Sequence, residues 1–457
     1  MNSVAIIGAG ITGLTTAYRL QERGVPVTVY EAGDQVGGVI RSLRENGYLA
    51  EFGPNSILET SPKINALIQD LGLSHRRVDS LPTAENRYLV RGRKPVLLPA
   101  SPGLFFRSPL FSWRAKLRLL REPFIAPAPP NIEESVAQFV LRRLGREFLD
   151  YAINPMVAGV YAGNPARLSV KHAFPKLHAL EQKYGSLIKG QIFGAKERRQ
   201  RGEVSKQDAK KLSFDTGLQV LPDTLAGKLQ NAVQLRTAVQ RIEEVAGGWQ
   251  LYLSTNEVRA HAAVVYAAPV HRLPEIRLAA AAELKPDRLK EIVYPPVASV
   301  VLGFRRDAVV HPLDGFGMLI PEVEGFRILG TLFSSSLFRD RAPAGHVTLT
   351  TYIGGARAPE LALRTTNELI EMTRQDLGVI LGVTGRPTFE HVVVYPKAIP
   401  QYEVGYGRFK DLMAALETRA PGLFFAGHFR DGISLGDSLV SGHDAAGRIA
   451  DYCQSRS

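Results

Sequence analysis

The chain has 457 residues, 45% hydrophobic and 22% charged, with 56 Lys and Arg against 44 Asp and Glu and a net charge of +12. That is the composition of a folded protein long enough for a large core and more than one domain. Its single cysteine, Cys453, excludes internal disulfides and Cys-based metal sites, and no run of roughly 18 uncharged apolar residues offers a membrane-spanning helix.

Met1-Asn2-Ser3 leads directly into the strand-like run Val4-Ala5-Ile6-Ile7, so no signal or transit peptide is expected. Gly8, Gly10 and Gly13 follow with the spacing G-x-G-x-x-G, enclosing Ile11 and Thr12, and Leu14, Ala17 and Leu20 then recur at helical spacing. Gly8 allows a tight turn, Gly10 lets a pyrophosphate approach the backbone, and Gly13 lets helix pack on strand. The helix start offers free N–H groups and the positive end of its dipole to that pyrophosphate. A second strand, Val25 to Tyr30, ends in Glu31-Ala32, where an acid bonds a ribose hydroxyl about 20 residues past the glycines. The whole unit predicts a dinucleotide site. Gly37-Gly38, Arg41 and Gly53-Pro54-Asn55-Ser56 come next. This extension resembles the FAD-binding amino terminus of the amine oxidase superfamily of flavoproteins, and that likeness implies FAD.

Ser61-Pro62-Lys63 opens a helix that Gly72 ends, and Tyr88–Val90 with Pro95–Leu98 reads as a hairpin. Between Arg87 and Arg121 stand nine Arg or Lys residues and no acid, interleaved with Leu104-Phe105-Phe106, Leu110-Phe111 and Trp113. Such a mixture suits an anionic bilayer surface or single-stranded nucleic acid. No nucleic-acid motif accompanies it, so a peripheral membrane contact is expected and nucleic acid is not; a solvated helix face beside a packed loop is the plainer alternative. Helical spacing continues to about 190, with an amphipathic helix from Val136 to Leu144, a break at Ile153-Asn154-Pro155 and a small-residue turn from Val157 to Pro165. Residues 196–211 read as a mobile, charged surface loop. A β-meander then returns to a buried strand, Ala262 to Ala268; residues 294–355 are strand-rich, Leu361 to Leu381 is helical, and Gly422–His428 is a strand entering a turn before a last helix from about Asp437.

Ala84–Tyr88, Asp150–Pro165, His172–Pro175, Glu181–Ser186, Gly315–Pro321, Leu329–Ser335, Thr350–Gly355, Ala398–Tyr402, Ala426–His428, Gly432 and Ser441-Gly442 together resemble the oxygen-dependent, FAD-containing protoporphyrinogen oxidases over nearly the full length. The resemblance implies an α/β fold: a Rossmann-type, two-part FAD domain, a mixed-sheet substrate domain and an inserted helical membrane-binding domain. The expected boundaries are 1–75, 196–285 and 411–457 for the FAD domain, 76–99 and 286–410 for the substrate domain, and 100–195 for the helical one. It implies six-electron oxidation of a porphyrinogen through non-covalent FAD, with O2 as acceptor and hydrogen peroxide as by-product, in haem biosynthesis. Arg87 is then expected at a substrate propionate, and Leu319, Leu332 and Tyr352 around the macrocycle. The backbone at Gly159 and Val160 forms the far wall, and Gly330 lets the ring lie close. Expected flavin contacts are Gly8, Gly10, Ile11, Thr12, Gly13, Glu31, Ala32, Gly38, Arg41, Gly53, Pro54, Asn55, Ser56, Val239, Ala268, Gly427, His428, Ile433 and Ser434.

No catalytic acid or base and no metal is assigned, because hydride transfer to flavin N5 asks the protein mainly to orient. A cytoplasmic protein on the inner face of the cell membrane is expected; a homodimer and hand-off to a chelatase are compatible with that reading. Two departures stand out: Tyr352 replaces a Phe common in the plant enzymes, and His428 an Asn usual near the flavin. His428 is then a flavin contact or a buried structural histidine. Coproporphyrinogen III oxidation is the alternative within the family; an amine oxidase, a carotenoid desaturase and a non-catalytic scaffold are more distant.

Overall fold

The computed structural model describes residues 3–129, 131–200, 209–279 and 281–456, with side chains left aside at 195–200. Its organising element is a parallel sheet in the order Val233–Gln234, Val27–Tyr30, Val4–Ile7, Ala263–Tyr266, Leu423–Phe425. A parallel sheet must be covered on both faces, which is why its central strand is apolar at every position. Val4 and Ile6 face helix Ile11–Gln21 and the carboxy-terminal helix Leu435–Gln454, packing with Leu14, Leu439 and Ala446. Ala5 and Ile7 face the other way, in one cluster with Trp249 and Leu251 of a four-stranded mixed sheet. The two helices meet almost backbone to backbone: a Cβ at Gly442 would lie 2.5 Å from the Thr12 carbonyl oxygen.

A second sheet of seven strands runs in the order Phe389–Tyr395, Val297–Arg305, His346–Gly354, Ile328–Leu332, Gly317–Leu319, Tyr88–Arg91, Lys94–Leu97. It is antiparallel except between Gly317–Leu319 and Tyr88–Arg91. Alternation along Val297–Arg305 assigns its faces. Val300, Leu302 and Phe304 share a core with Leu369, Leu377 and Ile380 of helix Thr366–Leu381. Val301 turns to Tyr48 and Ala50 of the hairpin Ser42–Glu45/Tyr48–Glu51, where the Tyr48 ring fills the space a Cβ at Gly303 would take, 2.5 Å away. This second face therefore looks toward the glycine-loop unit.

The stretch from Pro102 to about 190 is mostly helical, as its periodicity predicts, but two details in and after it differ. The expected turn at 157–165 is largely a helix, Asn154–Tyr161, continuing from a wide helical turn at Leu149–Ile153. Pro155 does not break it, because it follows the wide turn, where the regular ladder that a proline ring and its missing N–H would disrupt is already opened. Ala162, at φ 49°, ends it. The expected loop 196–211 is also corrected: helix Leu187–Gln200 runs into it, Lys211–Phe214 is a strand, and 201–208 lie outside the described residues. The run Leu361–Leu381 divides, since Thr365 caps Thr366–Leu381 in a capping box with Glu368. Among the described residues no helix is long and apolar enough to cross a membrane.

Candidate active site

The carboxyl ends of the parallel strands open onto one crevice, where such sheets bind ligands. Gly8 turns at φ +102° with its Cβ position 3.0 Å from the Ala268 nitrogen, so a side chain would be strained and crowded. Gly13 belongs to the first turn of helix Ile11–Gln21, its Cβ position 2.0 Å from the Gly8 carbonyl oxygen. Gly10 differs. It is extended, heads the helix without a side-chain cap, and a Cβ there would meet nothing within 4 Å. Gly37 bridges to Gly10 in parallel, and Gly38, at φ +61°, brings its Cβ position 3.6 Å from the Gly10 Cα. Two glycine pairs and an uncapped helix start leave room for an anion, with the first-turn N–H groups of Ile11, Thr12 and Gly13 beside it.

Glu31 ends the neighbouring strand and accepts the Ala9 N–H at 2.8 Å with one carboxylate oxygen and the Gly33 N–H at 2.8 Å with the other. Each oxygen keeps a second lone pair for a ribose hydroxyl. Ala32 follows it, and the Glu31 carbonyl accepts the Thr237 N–H, two residues before the buried Val239. On the far side of the crevice Gly427, at φ +125°, donates its N–H to Ser441 Oγ at 2.8 Å, and that hydroxyl donates to Asp431 at 2.5 Å. Ser434, next to Ile433, caps the last helix in a capping box with Asp437. His428 sits among aromatic rings: its Nε2 is 3.4 Å from the Tyr294 hydroxyl, and its carbonyl accepts the hydroxyl of Tyr402. Burial first, then nearby His271, pushes its imidazole down to about 4, so it is neutral near pH 7. Gly53 leans on the segment after the double glycine: its Cβ position is 2.6 Å from the Val39 carbonyl, and Phe52 N–H bonds the Arg41 carbonyl. Pro54, Asn55 and Ser56 carry that segment toward the second sheet.

There, cross-strand register does what the linear sequence hides. Leu319 pairs with Gly330, and Gly330 with Tyr352, so the three form one row across three strands. Leu332, two residues beyond Gly330, shares its face and pairs with Gly317. Gly159 touches the row from helix Asn154–Tyr161, its Cβ position 2.3 Å from Leu319 Cδ2, whereas Val160 is 52% exposed. Arg87 stands half-buried just before strand Tyr88–Arg91, at the margin beyond Gly317–Leu319. Tyr352 also reaches out of the row: its hydroxyl accepts Asn55 Nδ2 at 2.6 Å and lies 3.3 Å from the Gly53 carbonyl.

Ser299 escapes sequence reasoning. It pairs with Tyr352, is 2% exposed, and its hydroxyl finds no hydrogen-bond partner among the described residues. A serine alternating with valines carries no signal that it faces the crevice. Arg357 is the other: its guanidinium joins the Ile320 carbonyl (3.0 Å) and Asn154 Oδ1 (2.8 Å), tying the start of helix Asn154–Tyr161 to the sheet. The open glycine cradle, the ribose-position carboxylate and the orphan Ser299 hydroxyl fit a flavin dinucleotide.

Known proteins agree. The family model for flavin-containing amine oxidoreductases matches residues 11–450. The chain is 38% identical to protoporphyrinogen oxidase 2, chloroplastic/mitochondrial, of Arabidopsis thaliana, over 99% of this chain and 94% of that protein. It is 30% identical to coproporphyrinogen III oxidase of Bacillus subtilis, over 98% of both. A crystal structure from Exiguobacterium superposes with a TM-score of 0.82 at 23% identity over 98% of each chain, and reduced UDP-galactopyranose mutase with 0.74 at 18%. The cofactor is FAD, and the chain belongs to the flavin-containing amine oxidoreductase family, among its porphyrinogen oxidases.

Proposed function

We propose that this chain oxidises protoporphyrinogen IX to protoporphyrin IX, with O2 as electron acceptor and hydrogen peroxide as by-product. The observation that carries the reading is the row Leu319–Gly330–Tyr352 on the sheet face turned to the glycine-loop unit. Two large side chains flank a glycine there, a strip on which a flat macrocycle rests. The names of the plant relatives support the same substrate. Bound FAD supplies the hydride acceptor and the route to O2, removing six electrons in three two-electron rounds. The chain's own residues orient and shield: Leu319 and Leu332 exclude water, Gly159 and Gly330 keep the slot thin, and Arg87 receives a propionate at the margin. A cysteinyl link to FAD is not expected, since Cys453, the lone thiol, lies near the far end of the last helix.

The same proposal includes a peripheral membrane contact. Trp113 (64% exposed), Leu117, Leu120 and Phe124 (87% exposed) crowd one stretch with Arg114, Arg118 and Arg121. The deciding experiment feeds the purified flavoprotein protoporphyrinogen IX and coproporphyrinogen III separately, recording porphyrin fluorescence and oxygen uptake. Higher kcat/KM on the first, with three O2 consumed per porphyrin, is expected. Preference for the second would assign the reaction named for the Bacillus relative, and turnover of neither would overturn the proposal. Arg87→Leu should raise KM for the preferred substrate roughly 10- to 100-fold, the worth of one charge-assisted bond.

A further inference from the structure

The Tyr352 ring and the Tyr352 hydroxyl do different things. The ring stands in the row with Leu319 and Gly330; the hydroxyl leaves it for the cofactor side. Asn55 Nδ2 donates to the phenol oxygen at 2.6 Å and to the Gly53 carbonyl at 3.2 Å, while the phenol O–H lies 3.3 Å from the same carbonyl. These three groups close a small ring of hydrogen bonds between the two sheets. Neither end of it is free to drift. Tyr352 is fixed in register on both sides, against Gly330 and Ser299. Gly53 is wedged against the Val39 carbonyl, and Phe52 is bonded to Arg41, so the segment continues without slack to Gly38 and the glycine cradle. Burial raises the phenol's pKa far above neutrality, so it keeps the proton it donates to Gly53.

We propose that the Tyr352 hydroxyl is a positioning group that locks the Gly53–Ser56 segment of the FAD cradle to the substrate sheet, coupling occupancy of the slot to retention of the cofactor. The coupling rests on the row being the porphyrinogen slot; the lock itself does not. A phenylalanine here would supply the ring without the bond, so the lock belongs to the tyrosine hydroxyl. Coupling of this kind is reciprocal: what steadies Tyr352 from the slot steadies Gly53 in the cradle, and the reverse.

The test uses holoenzyme and follows FAD loss by flavin fluorescence after dilution into mild chaotrope, for wild type, Tyr352→Phe, Asn55→Ala and the double variant. Tyr352→Phe and Asn55→Ala each remove two of the ring's three hydrogen bonds, the Asn55–Tyr352 bond being lost in both, and each should speed FAD loss about fivefold. The double variant, which loses the third bond as well, should fall short of the combined single effects, because the Asn55–Tyr352 bond is lost in both. Saturating protoporphyrin should slow FAD loss in wild type and lose that protection in Tyr352→Phe. Thermal unfolding within a few degrees of wild type marks the Phe variant as folded; Asn55→Gln serves if the alanine variant does not fold. FAD retention equal to wild type in Tyr352→Phe, or losses that add in the double variant, would overturn the lock. Equal porphyrin protection in wild type and Tyr352→Phe would overturn the coupling. If the substrate assignment fails while the lock holds, Tyr352→Phe still sheds FAD faster and wild type turns over no porphyrinogen, so the two failures are distinguishable.

Discussion

A Cβ added at Gly10 and one added at Gly13 meet opposite fates, although the two glycines belong to one motif. At Gly10 the backbone is extended at φ −69°, open to any residue, and the added atom points into free space. At Gly13 it would sit 2.0 Å from a carbonyl oxygen that the sheet cannot move. Gly10→Val should therefore fold with the stability of the wild-type apoprotein yet retain less than about a tenth of its flavin, because the methyl groups occupy the pyrophosphate cradle. Gly13→Val should lose the cooperative unfolding transition itself. Flavin absorbance per protein and thermal unfolding of flavin-stripped protein measure both. A fully yellow Gly10→Val protein would remove the cradle from the cofactor site.

Between elements the decisive group is an arginine that reads from sequence as nothing more than the basic end of a helix. Arg143 closes helix Val136–Arg143, is 0% exposed, and donates to Glu181, Glu122 and the carbonyls of Ile125 and Gly185. Glu122, equally buried, accepts the Ser186 hydroxyl and the Leu187 and Ile188 N–H groups, and so caps helix Leu187–Gln200. Arg143→Leu should leave buried Glu122 without its cation, while Glu181 keeps Arg142, and cost about 3 kcal/mol, read as a lowered urea midpoint. A change under 1 kcal/mol would show that the cluster relaxes into water.

The same elements show what the linear chain discloses. The strand–glycines–helix–strand unit was legible because every determinant lies within about 30 consecutive residues. Helix Asn154–Tyr161 was not, because Pro155 reads as a breaker until the wide turn at 149–153 is seen to feed it. The Leu319–Gly330–Tyr352 row came from likeness to a family, since register between separate strands leaves no mark on spacing. Ser299 was invisible for the same reason.

For the whole molecule, charge placement matters more than net charge. The acid-free stretch from Arg87 to Arg121 holds nine of the basic residues beside exposed Trp113, Leu117 and Leu120. Reversible flotation with anionic vesicles is expected, each surface cation contributing about 1 kcal/mol and binding fading as salt rises. Indifference to lipid charge and salt would leave those residues as ordinary surface. Acid sensitivity should be global too. His261, 3% exposed, is bonded to Ser3 (3.0 Å) and Tyr30 (2.9 Å); burial, then Arg259, pushes it down to about 4. Unfolded, it takes its proton near 6.5, so from there down to about 4 the unfolded chain binds more protons. Stability then falls by about 1.4 kcal/mol per pH unit from this residue. His271 and His428 are depressed in the same direction. Urea midpoints from pH 7 to 4.5 should drop, less steeply in His261→Asn; parallel slopes would exclude His261.

The parallel sheet gathers its strands from positions 4, 27, 233, 263 and 423, and the last of them delivers Gly427, His428 and Ser434 to the crevice. On the ribosome roughly 400 residues separate the first glycine from that final strand, about 20–80 s of elongation at ordinary rates. Throughout that interval helix Ile11–Gln21 lacks the helix that covers it, and from its own synthesis onward the strand Ala263–Tyr266 lacks its outer neighbour. FAD capture is expected to wait for the strand Leu423–Phe425. A nascent chain stalled before residue 423 should stay colourless and keep an apolar sheet edge exposed, making the newborn protein a client for chaperones until strand Leu423–Phe425 and helix Leu435–Gln454 emerge.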